Sequence, residues 1–289
     1  MNTPAHDRPT RAITSADGHR FELIECGVPT PTRTLLLLPG LGIPARQYIA
    51  FGEALAAHGI HSLIHEWRGL GSSSVRASRR CDWGYRELLT LDLPASIAAA
   101  SAVAGDAPVW IAGHSLGGQL ALLTAAGLPG RMAGVTLIAS GLPWIRAFSG
   151  AMRWKLGLVF ALFPTLARLR GHFPGRRLGF GGNESRGVIQ DWVRTGRTGH
   201  YDLPGLETPV EDRLATLEVP ILACLMADDH WVPKQSLHLL TAKTPEAPVT
   251  VCEFDAATLG APADHFGWMR SPAKVAHRMV AWMAAQHQR

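Results

Sequence analysis

A serine in a glycine-flanked motif is the first group in the chain that could carry chemistry. Residues 113–118 read GHSLGG and place Ser115 between the apolar run Val109–Ala112 and a helix-like stretch, 116–126. A strand–turn–helix with the pattern G-x-S-x-G displays its serine hydroxyl on a sharp turn, because the glycines allow close backbone approach. The spacing alone is a weak signal, and its alternative is a Gly/Ser-rich helix cap. The strand–helix context predicts that Ser115 is a nucleophile and that the Leu116 amide faces developing negative charge.

A serine hydroxyl is a poor nucleophile at neutral pH and needs a general base that is oriented by an acid. With this kind of turn, the chain order is serine, then Asp or Glu, then His. Two carboxylates, Asp228 and Asp229, follow the apolar run 219–226, and His265 lies in a loop before the last helix-like stretch. The order therefore predicts His265 as the base and leaves both aspartates open as the acid.

The other histidines in the second half of the chain fit the base less well. His230 is too close in sequence to the acid, and His277 and His287 lie within the last predicted helix, where a solvated face is the better interpretation. A second donor to an oxyanion should come from the loop after the apolar run TLLLL. Leu41, in the sequence Pro39-Gly40-Leu41-Gly42, is the candidate by its position in the fold, and a plain Gly-rich turn is the alternative.

Short apolar runs alternate with helix-like stretches along most of the chain. This rhythm predicts an α/β fold with a mostly parallel central sheet and helices on both faces. Residues 83–104 form one predicted helix that is disturbed at Pro94, because proline lacks a backbone N–H. The predicted strands are 12–15, 20–25, 34–38, 62–67, 109–112, 134–139, 219–226 and 249–254, and the other predicted helices are 46–58, 116–126, 234–243 and 272–288.

The rhythm breaks between residues 141 and 205, where the sequence is rich in Trp, Arg and Gly. We interpret residues 141–205 as a helical cap inserted at one edge of the sheet, and residues 1–140 and 206–289 as the core. The inserted segment holds ten basic and three acidic residues, so it carries the whole basic excess of the chain. The sequence pI of 9.3 therefore describes one cationic segment and does not indicate nucleic acid as a partner.

Composition bounds the remaining function classes. Apolar residues make up 47% and charged residues 18% of the 289 residues, which excludes a globally disordered chain. The four cysteines share no close spacing, so neither a zinc motif nor a disulfide framework is predicted. Residues 1–20 are polar and lack the apolar core of an export signal, and we expect a cytoplasmic location. No metal or organic cofactor is required by the predicted chemistry.

These residues together resemble the α/β-hydrolase superfamily, and most closely bacterial predicted hydrolases related to the monoglyceride-lipase and serine-aminopeptidase-like groups. The resemblance covers most of the chain and rests on PGLG at 39–42, WRGLGS at 67–72, GHSLGG at 113–118, ADDHWVP at 227–233 and HFGWMR at 265–270. It selects Asp229 through the D-x-x-V-P pattern of the superfamily. Two departures concern loop geometry: Pro39 replaces the usual His before Gly40, and Met226 replaces the usual Gly of the acid motif.

The resemblance implies hydrolysis of an ester, thioester or amide and does not fix the substrate. We expect a serine hydrolase that cleaves a carboxylic ester or thioester of a small to medium apolar acyl group. The alternatives are an inert binding or regulatory module with the same fold and, among enzymes, an acyltransferase or an amidase or peptidase. The sequence does not indicate an oligomeric state.

The inserted segment is expected to cover the serine and to supply an apolar acyl-binding wall. Candidate pocket residues are Trp144, Trp154, Trp192 and Phe266. An equally weighted alternative is that the apolar side chains at 144–169 form the core of the cap itself. The pair Arg176 and Arg177 could meet an anionic group, although a solvated loop edge is favoured. Contact of this segment with an anionic membrane surface is a weaker alternative, because a strict amphipathic period is missing.

Overall fold

The structure is a computed structural model that describes residues 8–206 and 208–286. Residues 1–7 of the polar N-terminal segment and residues 287–288 of the last predicted helix lie outside these residues. The strands, in chain order, are β1 (Thr10–Thr14), β2 (Arg20–Cys26), β3 (Arg33–Leu38), β4 (Ile60–Ile64), β5 (Val109–His114), β6 (Met132–Ile138), β7 (Phe173–Pro174), β8 (Asn183–Glu184), β9 (Ile221–Met226) and β10 (Val249–Phe254).

Eight of these strands form one sheet in the order β1-β2-β4-β3-β5-β6-β9-β10. β1 pairs antiparallel with β2, and β2 pairs antiparallel with β4. All the pairings from β4 to β10 are parallel, which confirms the predicted mostly parallel sheet. Because parallel strands end at the same edge, the loops after β3, β5 and β9 meet there.

Helices cover both faces of the sheet, as predicted from the alternation of elements. They are α1 (Ile49–Ala56), α2 (Tyr85–Glu87), α3 (Leu93–Ala104), α4 (Leu116–Gly127), α5 (Gly150–Arg170), α6 (Gly175–Leu178), α7 (Arg186–Thr198), α8 (Val210–Ala215), α9 (Lys234–Thr241), α10 (Ala256–Leu259) and α11 (Ala273–Ala285).

The apolar run of β3 shows why the central strands lack an alternating pattern. Leu35 and Leu37 pack on the face covered by α1 and α11, whereas Leu36 and Leu38 pack on the face covered by α3 and α4. All four side chains are fully buried. A strand that is buried on both faces is apolar at every position, so its sequence is a continuous run.

Most predicted elements differ from the structure by a few residues at their ends, and two of them differ for a visible structural reason. The strand predicted at 62–67 is β4, which ends at Ile64 because the next residues turn toward the β3–α1 loop. There Glu66 accepts a hydrogen bond from the Ala45 amide, and the Trp67 indole N–H donates to the Pro39 carbonyl. The helix predicted at 83–104 contains a wide π-turn at Leu88–Asp92, which accommodates the missing N–H of Pro94.

The span Tyr85–Ala104 is the one helical stretch of the described residues that has the length and apolar composition to cross a membrane. In this structure its α3 part packs on the sheet, with Leu93 and Ile97 buried. Asp92, at its centre, is buried and accepts two hydrogen bonds from Arg68. Contacts with the sheet and a buried ion pair are features of a core helix.

The predicted insertion leaves the carboxyl end of β6 and returns to β9, the strand that pairs with β6. Residues 141–205 hold α5, α6 and α7 together with the two-residue strands β7 and β8, which pair antiparallel. The segment therefore rises from the carboxyl edge of the sheet, on the side where the loop of Ser115 lies.

Candidate active site

The turn between β5 and α4 carries Ser115 in a conformation that side chains rarely adopt. Its φ is 54°, and Ala139 is the other non-glycine residue with positive φ in the described chain. A Cβ on Gly113 would overlap the backbone of Gly117, and a Cβ on Gly117 would overlap the Leu38 carbonyl. Both glycines of the G-x-S-x-G pattern are thus required by close backbone approach, and they hold Ser115 at the sharp bend.

Ser140, which follows β6, supports the same turn. Its hydroxyl donates a 2.7 Å hydrogen bond to the backbone carbonyl of Ser115. A Cβ on Gly118 would contact the Ser140 hydroxyl, so the third glycine of GHSLGG makes room for it. Ser140 is not among the residues that the sequence singles out. Its role in holding the turn has no sequence signature, because it depends on the pairing of β5 with β6.

The structure brings the three predicted catalytic side chains together, although they are far apart in the chain. His265 Nε2 lies 2.9 Å from Ser115 Oγ, and His265 Nδ1 lies 2.7 Å from Asp229 Oδ2. The side chain of Asp229 is fully buried, and that of His265 is 8% exposed. This is the geometry in which a carboxylate orients an imidazole toward a hydroxyl.

The two neighbouring aspartates have different surroundings. Asp229 Oδ1 accepts hydrogen bonds from the amides of Trp231 and Val232, at 2.8 and 3.0 Å, and its other oxygen faces His265. Asp228 is exposed to solvent. The loop of His265 is held in turn by Asp264, whose carboxylate accepts hydrogen bonds from the backbone amides of Phe266 and Gly267, at 2.9 and 2.7 Å.

The hydrogen-bond partners fix the protonation pattern of the imidazole. An ionised Asp229 can only accept, so His265 Nδ1 carries the proton and donates it to the carboxylate. The lone pair of Nε2 then faces the Ser115 hydroxyl, which donates to it. In this tautomer the unprotonated nitrogen of the imidazole faces the serine hydroxyl.

A buried chain of hydrogen bonds connects the base to the loop that follows β3. The Gly40 amide donates to the Tyr48 hydroxyl at 2.8 Å, and that hydroxyl donates to His114 Nδ1 at 2.7 Å. His114 Nε2 donates to the backbone carbonyl of His265 at 2.9 Å. Neither Tyr48 nor His114 was singled out from the sequence, because nothing in the chain places Gly40, Tyr48 and His265 side by side.

His114 is neutral in this arrangement. It is fully buried, and burial together with the neighbouring His265 lowers the pKa of His114 well below its ordinary value. A neutral imidazole has one donor and one acceptor nitrogen, which match the carbonyl of His265 and the hydroxyl of Tyr48. The chain therefore holds the loop of the predicted oxyanion donor and the loop of the predicted base in fixed relative positions.

A cavity of about 140 Å³ opens above Ser115. Leu41 and Leu116, whose amides are the predicted oxyanion donors, lie in its wall beside Ser115 and His265. Aromatic and aliphatic side chains from the core and from the inserted segment provide most of the remaining surface. These are Ile43, Phe148, Leu156, Phe180, Trp192, Trp231, Val232 and Phe266.

Two of the four predicted pocket residues lie at this cavity and two do not. Trp192 and Phe266 line it. Trp154 requires correction: it projects from α5 with 84% of its side chain exposed, on the face opposite the cavity-lining Leu156. Trp144 also requires correction, because its indole packs against Gly199, with the Arg146 guanidinium 5.3 Å from its ring centre. Both errors come from treating the apolar residues of 144–169 as one wall.

The loop of Leu41 is packed against the hairpin of the inserted segment. A Cβ on Gly42, whose φ is 70°, would overlap the backbone of Gly182. Glu184 lies beneath this contact and accepts a hydrogen bond from the Gly182 amide at 2.9 Å. Burial raises the pKa of Glu184 to about 7.

A second set of serine, histidine and aspartate side chains has similar distances but a different environment. His19 lies 2.8 Å from Ser73 Oγ and 3.0 Å from Asp92 Oδ1, and all three residues are buried. The Ser73 hydroxyl also accepts a hydrogen bond from the Gly69 amide, and the Asp92 carboxylate accepts two hydrogen bonds from the Arg68 guanidinium. These groups satisfy one another in the interior. Interatomic distances alone therefore do not distinguish a reactive serine from a structural one.

No group of three or more His, Cys, Asp or Glu side chains that could hold a metal ion occurs within residues 8–206 and 208–286. The exposed Arg176 and Arg177 do not contribute to the cavity wall. The favoured interpretation of this arginine pair, as a solvated loop edge, agrees with that position.

Comparison with known families identifies a match for this chain. Residues 29–191 match the family described as serine aminopeptidase, S33, which is more than half of the chain. The matched range includes the loop of Leu41, the turn of Ser115 and most of the inserted segment, and it ends before Asp229 and His265. No curated protein matches the chain.

Solved structures with the same fold include several esterases. A carboxylesterase structure from the Thaumarchaeon Nitrososphaera gargenis is 15% identical, with a TM-score of 0.65 over 96% of this chain and 99% of that one. Est1E from Butyrivibrio proteoclasticus, solved with ferulic acid, is 18% identical, with a TM-score of 0.63 over 96% and 100% of the two chains. A bacterial membrane phospholipase A is 18% identical, with a TM-score of 0.66 over 99% and 88%. At such identities the likeness establishes the fold alone.

The buried hydrogen-bond chain from Gly40 to His265 predicts that removal of the Tyr48 hydroxyl lowers the free energy of unfolding more than removal of the Tyr85 hydroxyl. Tyr48→Phe leaves the Gly40 amide and His114 without their partner, and we expect the free energy of unfolding to fall by about 1–3 kcal/mol. Tyr85 is the matched control, because its buried hydroxyl has no hydrogen-bond partner within the described residues. Urea denaturation of both variants is the measurement. Equal losses in Tyr48→Phe and Tyr85→Phe would contradict a role of this chain in stability.

The raised pKa of Glu184 predicts that the free energy of unfolding falls as the pH rises. Its pKa is about 7 in the folded chain and 4.5 as the ordinary value, so the folded state binds the proton more tightly. The contribution of Glu184 to the free energy of unfolding is fully present below pH 4.5. It falls by about 3 kcal/mol as the pH rises to 7. Urea denaturation between pH 4.5 and 8 should show this decline in the wild type relative to Glu184→Gln. The exposed Glu218→Gln variant should follow the wild type, and parallel wild-type and Glu184→Gln curves would exclude the effect.

Proposed function

The chain belongs to the serine aminopeptidase S33 family of α/β-hydrolases, and from this premise we propose that it is a serine hydrolase acting on carboxylic esters or thioesters. The proposed substrates carry a small to medium apolar acyl group. One observation carries the proposal: the hydrogen bonds from Asp229 through His265 to Ser115 end at the wall of an apolar cavity.

In the first proposed step, Ser115 attacks the carbonyl carbon of the substrate. His265 Nε2, 2.9 Å from the hydroxyl oxygen, takes its proton as the bond to carbon forms. Asp229 holds the imidazole in the required tautomer and stabilises its positive charge. The amides of Leu116, at the start of α4, and of Leu41 are proposed to donate to the oxyanion.

In the second step, His265 gives the proton to the leaving group, and the acyl group stays on Ser115. Water then enters, loses its proton to His265 and releases the acid, which restores the serine hydroxyl. The Gly40–Tyr48–His114 chain supports both steps, because it fixes the Leu41 loop relative to the backbone of His265.

The chemistry of the cavity wall supports an uncharged acyl group. Apart from His265, the described lining residues have no ionisable side chain; Gln119 and two serines are the polar ones. A charged substrate group would lose its hydration there without a compensating partner. Residues 141–205 would act as the cap in this proposal, since Phe148, Leu156 and Trp192 from that segment form part of the wall.

Amide or peptide cleavage, which the family description suggests, is the second candidate. Release of an N-terminal residue requires recognition of a free ammonium group, and a carboxylate usually provides it. Within the described cavity wall no carboxylate is present, and Asp229 is fully buried behind His265. This difference favours an ester or thioester. Transfer of the acyl group to an alcohol stays an alternative, because it requires only that another hydroxyl replace water.

The nucleophile assignment is tested with p-nitrophenyl esters of increasing acyl length. Ser115→Ala should lower kcat/KM about 10⁴-fold or more, because no acyl-enzyme can form. A fluorophosphonate probe should label the wild type on the peptide that contains Ser115 and leave the buried Ser73 unmodified. Unchanged turnover by Ser115→Ala, with folding verified by its melting temperature, would remove the assignment. An unlabelled wild type would favour the alternative of an inert binding module.

The neighbouring aspartates provide a matched pair for the acid. Asp229→Asn should lower kcat about 10⁴-fold, because an amide that donates to Nδ1 favours the wrong tautomer of His265. Asp228→Asn changes the same functional group one residue away, on an exposed side chain, and should keep the wild-type rate. The reverse order of the two rates would transfer the role to Asp228.

A further inference from the structure

Helix α5 displays an apolar stripe to solvent. Trp154, Leu158, Leu162 and Leu169 are 84%, 61%, 54% and 67% exposed. Their spacings of four, four and seven residues place them on one face of the helix. We call these four residues the α5 stripe. Thr165, on the same face, directs its hydroxyl to the Ala161 carbonyl, so it adds little polarity.

The opposite face of α5 is apolar as well, and it is already covered. Leu156 and Phe160 are buried there, and the Phe160 ring meets the Trp192 ring edge-on at 5.2 Å. A surface helix usually has one polar face, whereas a helix that is apolar all round is covered on all sides. Burial within the protein thus accounts for one face of α5 and leaves the α5 stripe without a covering surface.

The borders of the α5 stripe are cationic. Lys155 lies along one side and Arg168 along the other at helical spacing, and Arg153 and Arg170 follow near the two ends of α5. None of the ion pairs within residues 8–206 and 208–286 involves these four side chains. Residues 141–183 hold seven basic residues and no acidic one.

We propose that the α5 stripe and its cationic borders bind the surface of an anionic phospholipid bilayer. Trp and Leu side chains would enter the boundary between headgroups and acyl chains, and the long Lys and Arg side chains would extend to the phosphates. The absence of a strict amphipathic period in α5 does not oppose this, because the second apolar face is used inside the protein. The helix lies on the membrane and does not span it.

Charge argues against a second copy of the chain as the occupant. In a symmetric contact through the α5 stripe, Lys155 and Arg168 would face cations of an identical helix, without any acidic residue of 141–183 to compensate them. An anionic lipid surface supplies the opposite charge along both borders. Its fluid boundary also suits a convex helix face, which offers no groove to a folded partner.

The location of α5 would bring a bound bilayer close to the cavity of Ser115. Leu156 on the inner face of α5 and Phe148 just before this helix line the cavity of Ser115. A bilayer at the outer face would therefore lie about one helix diameter, roughly 10 Å, from the cavity wall. An apolar substrate dissolved in the bilayer would then have a short path to the site.

The test is flotation of the intact chain with vesicles and without any substrate. Vesicles of phosphatidylcholine with 30% phosphatidylglycerol are compared with vesicles of phosphatidylcholine alone. We expect binding to the anionic vesicles that weakens with added salt, and at least about tenfold weaker binding to the neutral ones. The triple variant Trp154→Gln, Leu158→Gln and Leu162→Gln should bind about 100-fold more weakly, because its apolar contacts are lost.

Matched controls separate the proposed surface from general stickiness and charge. Lys155→Glu with Arg168→Glu should weaken binding to the anionic vesicles about tenfold or more, whereas Arg131→Glu, an exposed arginine elsewhere, should change it little. Val251→Thr removes an exposed apolar side chain from the edge strand β10 and should leave binding unchanged. All the altered side chains are exposed, so the variants should keep the wild-type melting temperature.

Two results would overturn the proposal. One is equal flotation of the wild type and the triple variant with anionic vesicles. The other is sedimentation of the wild type as a dimer and of the triple variant as a monomer, with no vesicle binding by either, which would identify a second copy as the occupant. Vesicle binding is measured without catalysis, so either result leaves the proposed hydrolysis of soluble esters to its own test with Ser115→Ala.

Discussion

The bend at Ser115 is the constraint on which the rest of the site depends. A non-glycine residue at φ 54° is costly, and it persists only where the surroundings over-determine it. Here Gly113 and Gly117 permit contact of β5, α4 and the end of β3, and Ser140 holds the bent carbonyl. The strain places the hydroxyl above the carboxyl edge of the sheet, where the loops after β3, β9 and β10 converge.

Around that bend, the loops are joined by buried polar groups that satisfy one another. Tyr48 and His114 connect the backbone of Gly40 to that of His265, and Asp229 binds two amides of its own loop before it reaches the imidazole. A buried polar group without a partner is costly, so such a network favours one arrangement over its alternatives. Asp92 and Arg68 likewise satisfy one another in the interior beneath the first strands. His19 and Ser73 belong to this buried group, and they resemble the Ser115 site only in their distances.

The helix α5 shows how a correct observation from sequence can be assigned to the wrong place. The Trp- and Leu-rich pattern of 144–169 predicts one wall of the pocket or the core of the cap. In the structure, Leu156 and Phe160 serve the interior, whereas Trp154 and Leu158 point to solvent. Period 3.6 divides the residues into two faces, but it does not say which face the protein covers and which it leaves for another surface.

The sequence by itself determined the order of most strands and helices outside residues 141–205, the mostly parallel sheet, the strand–turn–helix of Ser115 and the family to which the chain belongs. These follow from local signals: continuous apolar runs, glycine spacing and short motifs that act within a few residues. The tertiary structure alone decided that Asp229 is buried against His265 while Asp228 is exposed, that Tyr48 and His114 join two loops, and that Trp154 lies outside the cavity. Those outcomes depend on contacts between residues that are tens to more than a hundred positions apart, and only the packing of the whole chain brings them together.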